Sequence, residues 1–351
     1  MHPEDTVAEL GRLLKHTPVR ECRLLKRGLR ADAYHVFFDD GVRGTAAIAK
    51  RFRELDDFSA GEAASYRLFR DRGLDVAPPL IAVADDGRWL VLETVQGDDL
   101  MATLRRFRDP AAQIVGLAHT VAKLVLGTRG AQPGHDGTRH READALSRGW
   151  PAVLDWAAKL GARSSDGVLD DVAALLDRYR DPPVLAWTQG DPAPSNVLFT
   201  PEGAVLVDFE YGAPRHALHD LAQWLIRCPL PLDWFSHLEQ TVGNALVGER
   251  VYSDTEAYRH DLACMAAYAA LYMYTWVPIG RALGEDVPWA PGFPARRAVV
   301  STTRRLGLVL TRCPELPALA EWAGAVARAL AGRWPEAGDG EIDWASAARP
   351  G

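Results

Sequence analysis

Along the first hundred residues, short apolar runs alternate with turn residues, a pattern typical of a small antiparallel sheet. An amphipathic helix ending near Lys15 precedes these runs. Helical spacing predicts one further helix between the third and fourth strands, with Ser59 as its N-cap and Gly73 as its stop. The predicted strands are residues 21–26, 33–38, 45–52, 80–84 and 89–94, and the predicted helix is 59–72.

After residue 97 the apolar positions recur at helical spacing. Helices are predicted at 110–126, 142–160 and 167–179, and over most of the chain from 219 to 334. Residues 128–140 are predicted as a polar loop, and a short β insert is predicted at 184–188, 197–199 and 204–208. The pattern predicts an α+β protein with two lobes. These are an N-terminal sheet lobe with one helix over 1–96 and a larger, mainly helical lobe over 97–334, followed by a tail at 335–351.

One segment has the length and composition of either a membrane span or a buried helix. Residues 262–280 carry no charged side chain and are just long enough to cross a bilayer. Their alanine-rich composition, their tyrosines and Pro278 near the end favour a buried helix. No Lys/Arg-rich flank is present to orient an insertion. We predict a core helix.

Composition narrows the class of protein. The 351 residues are 48% hydrophobic and 25% charged, which excludes a disordered, collagen-like or coiled-coil chain. A net charge of −7 argues against sequence-independent nucleic-acid binding. Four scattered cysteines and an N-terminus without a signal-type apolar core favour a cytoplasmic protein with reduced thiols. We expect neither nucleic-acid nor membrane partners, and the oligomeric state stays open.

The segment 188–208 carries the most informative chemistry. Asp191 begins a loop, Asn196 follows five residues later, and Asp208 ends the next hairpin strand. Phosphoryl transfer needs one carboxylate to orient the acceptor hydroxyl and take its proton, and an amide oxygen and a second carboxylate to hold Mg²⁺. The protein-kinase catalytic loop has the same Asp-x4-Asn interval.

The full string, GDPAPSNVLF followed by VDFE, resembles the aminoglycoside phosphotransferase family, which includes the choline and ethanolamine kinases. The resemblance implies a bilobed protein-kinase-like fold with Asp191 as catalytic base and Asn196 and Asp208 as Mg²⁺ ligands. It also implies an acidic role for Glu210, two residues beyond the metal aspartate. This chain departs from the family at Gln189, where a histidine is usual.

The N-terminal lobe offers a matching nucleotide site. Lys50 ends the third predicted strand in AAIAK, as in the kinase pattern that binds the α/β-phosphates, and Glu62 follows on the helix as its ion-pair partner. Residues 26–32 are the predicted nucleotide-covering loop. Glu93 and Val95 fall at the hinge, where their backbone groups would meet the purine of ATP or GTP.

The acceptor region of this family lies in the C-terminal lobe, which is aromatic here. Tyr268, Tyr272 and Trp276 form a helical stripe and are predicted to be core. Asp220 resembles the family aspartate that holds the catalytic-loop backbone. Further acidic residues are candidates for recognising amines. They are Glu239, Asp254, Glu256, Asp261, Glu285 and Asp286.

We therefore predict a small-molecule kinase that transfers the γ-phosphoryl of ATP or GTP to a hydroxyl. An aminoglycoside-like or other antibiotic ranks first as acceptor, which suggests a resistance enzyme. A choline-, sugar- or nucleoside-type metabolite is the alternative. A catalytically impaired binding module is the second alternative, because of Gln189. A protein kinase is disfavoured, since no long activation segment follows Asp208.

Overall fold

The chain folds into two lobes, of which a computed structural model describes residues 3–15, 17–39, 46–106, 110–131, 137–290, 293–338 and 340–341. In the first lobe, the described strands form a five-stranded antiparallel sheet in the order β1-β2-β3-β5-β4. The elements are α1 (Pro3–Leu13), β1 (Val19–Arg27), β2 (Ala31–Phe38), β3 (Ala46–Phe52), α2 (Asp57–Arg72), β4 (Leu80–Val83) and β5 (Trp89–Glu93).

This sheet is covered on both faces, and the two-residue period of β3 decides which side chain meets which helix. Ala47 and Ala49 face a small core that contains Leu10 and Leu14 from the α1 side. Phe52 packs instead into the main core that contains α2. Lys50 lies two residues before Phe52 and therefore on the same face of the sheet, so the lysine is directed toward α2.

The five predicted strands and α2 are confirmed, with one correction at the start of the helix. Ser59 is not the N-cap, because Asp56 takes that position and accepts hydrogen bonds from the N–H groups of Phe58 (3.1 Å) and Ser59 (3.0 Å). The Ser59 hydroxyl in turn accepts from the Asp56 N–H, completing a capping box. Gly73 ends α2 with φ +63°, as predicted. Thr45, the predicted start of β3, lies outside the described residues.

The second lobe is mainly helical, with short strands inserted around the segment 188–208. Its early elements are β6 (Asp98–Asp99), α3 (Leu100–Arg106), α4 (Ala111–Thr128), α5 (Thr138–Lys159), α6 (Asp166–Arg180), β7 (Leu185–Thr188), β8 (Val197–Thr200), β9 (Gly203–Leu206) and β10 (Ala213–His216). Its later elements are α7 (His219–Ile226), α8 (Leu232–Gly248), α9 (Thr255–Trp276), α10 (Ile279–Ala282), β11 (Pro288–Ala290), β12 (Phe293–Pro294), α11 (Ala295–Leu310) and α12 (Pro317–Arg333).

The predicted helices are present, but the prediction of a polar loop at 128–140 is partly wrong. α5 begins at Thr138, where Arg139 donates to the carbonyl of Arg180 at 2.7 Å, a tertiary contact that periodicity does not show. The short elements β6 and α3 were not predicted. The boundary between residues 96 and 97 stays a prediction, and residues 342–351 of the predicted tail lie outside the described residues.

The buried-helix interpretation of residues 262–280 is confirmed over most of its length, since α9 packs against α7 and α11 and buries most of its side chains. Among the described helices, α4 is the one that is long and apolar enough to cross a membrane by length and composition. It packs against α8 and β9 within the second lobe.

Helix α2 belongs to the first lobe by sequence but is packed against both lobes. Phe209 of the second lobe contacts Tyr66 and Phe69 of α2, with ring centroids 5.6 and 4.8 Å apart. The indole N–H of Trp187 donates to the Ser65 hydroxyl at 2.8 Å. The buried face of α2 is thus held by the second lobe, and the helix sets how the sheet sits over residues 188–208.

Removing the Asp56 cap tests the start of α2. Asp56→Ala leaves the N–H groups of Phe58 and Ser59 without their acceptor, so we expect the free energy of unfolding in urea to fall by about 1 kcal/mol. Glu54→Ala, at an exposed position just before the helix, makes the same charge change and should cost less than half as much. Equal losses in the two variants would contradict the capping role.

Candidate active site

A partly buried cluster of three ionisable side chains lies where the lobes meet. The Lys50 ammonium is 2.6 Å from a carboxylate oxygen of Glu62 on α2 and 2.6 Å from one of Asp208 in the second lobe. Lys50 is 18% exposed and Glu62 only 1%. Burial alone would lower the pKa of Lys50, but the two carboxylates outweigh burial and raise it. The lysine therefore carries a positive charge, which could neutralise the negative charge of a phosphate group bound between the lobes.

The loop that carries Asp191 is fixed through its backbone. The carboxylate of Asp220, at the start of α7, accepts hydrogen bonds from the N–H groups of Gln189 (2.7 Å) and Gly190 (3.0 Å). Gly190 has φ +81°, and a Cβ there would lie 2.5 Å from the carbonyl oxygen of Tyr211. Only glycine fits this position, so the loop is pressed against the segment that follows Asp208.

Gln189, which replaces the usual family histidine, makes structural contacts from its side-chain amide. Its Nε2 donates to the carbonyl oxygens of Val207 (2.5 Å) and Asn196 (3.1 Å). These two carbonyls belong to the segments that carry the predicted metal ligands. The glutamine therefore ties the catalytic loop to the strand that leads into Asp208.

The two predicted metal ligands are held in a way that leaves oxygen atoms available. Asn196 donates from Nδ2 to the Asp191 carbonyl at 2.9 Å, which turns its Oδ1 away from that bond and toward the Ser195 hydroxyl at 3.2 Å. Asp208 has φ +64°, a left-handed conformation that is costly for a residue other than glycine. An amide oxygen and a carboxylate are donors that suit Mg²⁺.

Asp191 has a cationic neighbour that sequence reasoning missed. Nη1 of Arg227, at the end of α7, lies 2.8 Å from Oδ1 of Asp191. Arg227 comes seven residues after Asp220, two helical turns later on the same face of α7. The position of Asp220 was therefore a signal in the sequence that could have identified Arg227. The contact fixes the Asp191 carboxylate next to Gly190 and Arg227, two residues that line a cleft.

The predicted nucleotide-covering loop at 26–32 is a tight hairpin turn, since β1 runs to Arg27 and β2 begins at Ala31. From this turn Arg30 crosses to the second lobe, where it bonds to Glu210 (3.1 Å) and to the hydroxyl of Tyr211 (2.9 Å). Glu210 thus pairs with an arginine of the other lobe, a contact that the sequence did not predict.

The predicted hinge residues lie at and just after the end of β5, and one of their backbone donors is taken. The N–H of Glu93 donates to the carbonyl of Pro79 at 2.9 Å. Val95 lies two residues further on, half-buried in the linker to the second lobe. A purine at this hinge would therefore use groups other than the Glu93 N–H.

A cleft of about 660 Å³ opens beside Gly190 and Arg227. Its walls include Tyr272, Trp276 and Trp289. Tyr272 is partly buried against the main core, whereas the prediction that Trp276 is core is wrong. Trp276 is 59% exposed. The stripe on α9 is buried at Tyr268 but leaves the protein interior toward its C-terminal end, and spacing alone does not reveal where a helix emerges from the core.

His219 also lines this cleft and was not predicted as a site residue. Burial, together with the neighbouring charge of Arg215, lowers the pKa of His219 to about 3, so its ring is neutral at physiological pH. Its Nδ1 is buried, and the described part of the chain provides it with no hydrogen-bond partner. A neutral ring nitrogen is thus available to a polar group in the cleft.

Glu142 of α5 is an acidic residue that lines the cleft. It was not predicted as a site residue either. Its carboxylate is bound to Arg215, with Oε1 2.7 Å from Nη2, and accepts from the Tyr179 hydroxyl. Burial would raise the pKa of Glu142, but the charge and hydrogen bonds of Arg215 overcome burial and hold the pKa at about 2.

The acidic residues proposed as amine binders lie elsewhere. Asp261 is buried and bound to Arg178 at 2.5 Å, and Asp254 caps α9. None of the six lines the cleft in the described structure. They are Glu239, Asp254, Glu256, Asp261, Glu285 and Asp286.

The comparisons with known proteins agree with this geometry. Similar solved structures are a choline/ethanolamine kinase family protein from Mesorhizobium loti (20% identity, 93% of this chain and 100% of that chain, TM-score 0.54) and choline kinase from Cryptosporidium parvum (13%, 89% and 96%, 0.52). A Plasmodium vivax ethanolamine kinase is similar too (13%, 87% and 84%, 0.50). The fold is therefore the bilobed, protein-kinase-like α+β fold that was predicted.

The family follows from sequence. The model of the phosphotransferase enzyme family matches residues 21–259, more than half of the chain, whereas no curated protein matches. The chain belongs to the phosphotransferase enzyme family, as its motifs indicated. It is an enzyme of the class that transfers phosphate to hydroxyl groups.

The Glu142–Arg215 pair gives a pH-dependent prediction. Glu142→Gln leaves the buried Arg215 without its counter-charge, so we expect a loss of about 3 kcal/mol in the free energy of unfolding at pH 7. The pKa of Glu142 is about 2 when folded against an ordinary 4.5, so its stabilisation is present above pH 4.5 and is lost as the pH falls toward 2. At pH 3.5 the cost should be about 1.4 kcal/mol smaller than at pH 7.

Urea unfolding at the two pH values measures this difference. Glu202→Gln, at an exposed turn position, serves as the control and should change stability by less than about 0.5 kcal/mol at either pH. A cost of Glu142→Gln that is identical at pH 7 and pH 3.5 would exclude ionised Glu142 as the source of the stabilisation.

Proposed function

We propose that this enzyme transfers the γ-phosphoryl group of ATP or GTP to a hydroxyl of a small molecule bound in the cleft beside Asp191. One observation carries the proposal. A catalytic-loop aspartate, an amide and carboxylate pair suited to Mg²⁺, and a charged lysine converge where the lobes meet. Phosphoryl transfer requires this set, because positioning and charge neutralisation supply most of its acceleration.

In this mechanism the positive charges bind the phosphate groups and a carboxylate accepts the proton of the acceptor. Lys50, steadied by Glu62, holds the α/β-phosphates, and Mg²⁺ bound by Asn196 and Asp208 would neutralise charge on the β- and γ-phosphates. Asp191 accepts the proton of the acceptor hydroxyl as that oxygen bonds to the γ-phosphorus and the bond to the nucleoside diphosphate breaks. Arg227 keeps the Asp191 carboxylate turned toward the acceptor.

The cleft supports an acceptor with a flat or apolar body. The ring centroids of Tyr272 and Trp276 lie 5.9 Å apart, and together they provide exposed aromatic surface. The carboxylates of Glu142, in the cleft, and of Glu210, which precedes the cleft residue Tyr211, already have cationic partners. Glu142 pairs with Arg215, and Glu210 pairs with Arg30. A densely cationic aminoglycoside would find few unpaired acids here. We therefore favour an antibiotic-like hydroxyl compound of low positive charge.

A choline-type alcohol is the second candidate, because the aromatic faces of Tyr272 and Trp276 suit a quaternary ammonium group. A cytoplasmic resistance enzyme remains our interpretation of the antibiotic-like acceptor, and all four cysteines are free thiols, as that compartment favours. A catalytically inert binding module is distinguished from both by its failure to turn over any acceptor.

An acceptor screen scored by ADP or GDP release tests the chemistry. In the presence of a productive acceptor, Asp191→Ala should lower kcat roughly 10²–10⁴-fold while nucleotide binding is kept, because only the general base is lost. Asp208→Ala should abolish the Mg²⁺-dependent part of nucleotide binding. Glu202→Ala, a change of an exposed carboxylate in the β8–β9 turn, should do neither. Turnover that survives Asp191→Ala unchanged would refute the assigned base.

Truncation of the aromatic wall tests the acceptor site. Tyr272→Ala and Trp276→Ala should each raise the KM for the acceptor about three- to tenfold, since one ring contact is worth about 0.5–1.5 kcal/mol, and leave the KM for the nucleotide unchanged. Leu169→Ala removes an exposed apolar side chain on α6 and is the control. Parallel assays with neutral, quaternary-ammonium and polycationic alcohols rank the acceptor classes. Preference for the polycation would contradict the charge argument.

A further inference from the structure

A compact group of metal-binding side chains lies far from the nucleotide and acceptor sites, at the start of α9. His260 Nε2 is 2.8 Å from Oε1 of Glu315, and the sulfur of Cys264 is 3.5 Å from the same oxygen and 3.9 Å from the histidine nitrogen. The donor atoms of these three residues lie within 4.8 Å of one another. The Cys313 sulfur is 3.7 Å from that of Cys264.

The local structure explains why these donors meet. His260 and Cys264 are one helical turn apart, so they share a face of α9. Cys313 and Glu315 lie in the turn between α11 and α12, on either side of Pro314. Because α9 packs against α11, this turn is brought over the face that carries the histidine and the first cysteine.

The spacing fits a small tetrahedral ion. With bonds of about 2.3 Å to sulfur and about 2.0–2.1 Å to nitrogen or oxygen, the ligand atoms of zinc are separated by about 3.3–3.8 Å. Of the four separations given above, the sulfur–sulfur and sulfur–oxygen distances fall in this range, and the other two deviate by about half an ångström or less. Cys313 lies against Cys264 but outside the group of three whose donor atoms are all within 4.8 Å of one another, so its sulfur must turn toward the histidine and the carboxylate to complete the tetrahedron. Two thiolates, an imidazole and a carboxylate form a donor set that favours Zn²⁺ over Mg²⁺ or Ca²⁺.

We propose that His260, Cys264, Cys313 and Glu315 form a structural Zn²⁺ site that fastens α9 to the turn between α11 and α12. Binding releases the two thiol protons to solvent and involves no change of oxidation state. Cys264 and Cys313 are buried, whereas His260 and Glu315 are partly exposed, which gives the ion a path from solvent.

The site is separate from catalysis. Along α9, Cys264 and Trp276 are twelve residues apart, which corresponds to about 18 Å of helix. Zinc at this end of the helix does not reach the acceptor, but it anchors the element whose other end forms the aromatic wall of the cleft. We therefore expect an effect on stability and not on the chemical step.

Zinc content of the purified full-length protein tests the proposal. Native mass spectrometry after addition of Zn²⁺ and removal of the excess should show one zinc per chain and a higher thermal unfolding midpoint than in the EDTA-treated protein. His260→Ala and Glu315→Gln should each weaken zinc binding at least about tenfold, as loss of a ligand does. Both residues are partly exposed, so these variants should fold even if Cys264→Ser does not.

Matched controls and a spectroscopic probe complete the test. Cys22→Ser and His237→Ala change the same residue types elsewhere and should keep the zinc. Replacement of zinc by Co²⁺ should give a thiolate-to-cobalt charge-transfer band that Cys264→Ser lacks. The proposal is overturned if the wild type retains no zinc, or if all variants retain it equally. A Cys264–Cys313 disulfide, seen as an intact mass lower by two hydrogens, would overturn it too.

Discussion

The contact of Lys50 with two carboxylates is the interaction on which the rest of this structure depends. A nearly buried ammonium and a fully buried carboxylate are tolerated only when each is paired, and here the partners come from β3, α2 and the segment after β9. The sheet must present Lys50 on the α2 face, and α2 must dock on both lobes. Asp208 must also accept a left-handed backbone. The fold of the first lobe is therefore organised around the charge that we propose for binding the nucleotide phosphates.

The cleft in which we propose that the acceptor binds is organised differently, because its charges are already balanced. Arg227 faces Asp191 and Arg215 neutralises Glu142, while His219 remains uncharged. With its acids satisfied, the cleft is left with aromatic surface and a few polar atoms with which to select a molecule. The replacement of the family histidine by Gln189 fits the same pattern, since the amide bridges two backbone carbonyls without introducing charge.

Much of the site could be predicted because its chemistry is local in sequence. Asp191, Asn196 and Asp208 lie on one loop and one hairpin, and the two-residue period of a strand aims Lys50 at the helix that carries Glu62. Arg227, Glu142 and Arg30 were missed because tertiary packing brings them in from α7, α5 and the β1–β2 turn. The error at Trp276 has a similar cause, since helical periodicity identifies a face but not the point where that face leaves the core. The N-cap was misplaced because Asp56 and Ser59 both suit a helix start, and their reciprocal hydrogen bonds decide between them.

Phe209 follows Asp208 directly, and its fully buried ring packs against Tyr66 and Phe69 of α2. The carboxylate that pairs with Lys50 and the ring that holds the helix are thus neighbours on one strained stretch of backbone. A change in the apolar packing around that ring is transmitted to the carboxylate one residue away. The packing of the α2 core thus bears directly on the position of the carboxylate that we propose as a metal ligand, although none of these core residues would touch the metal.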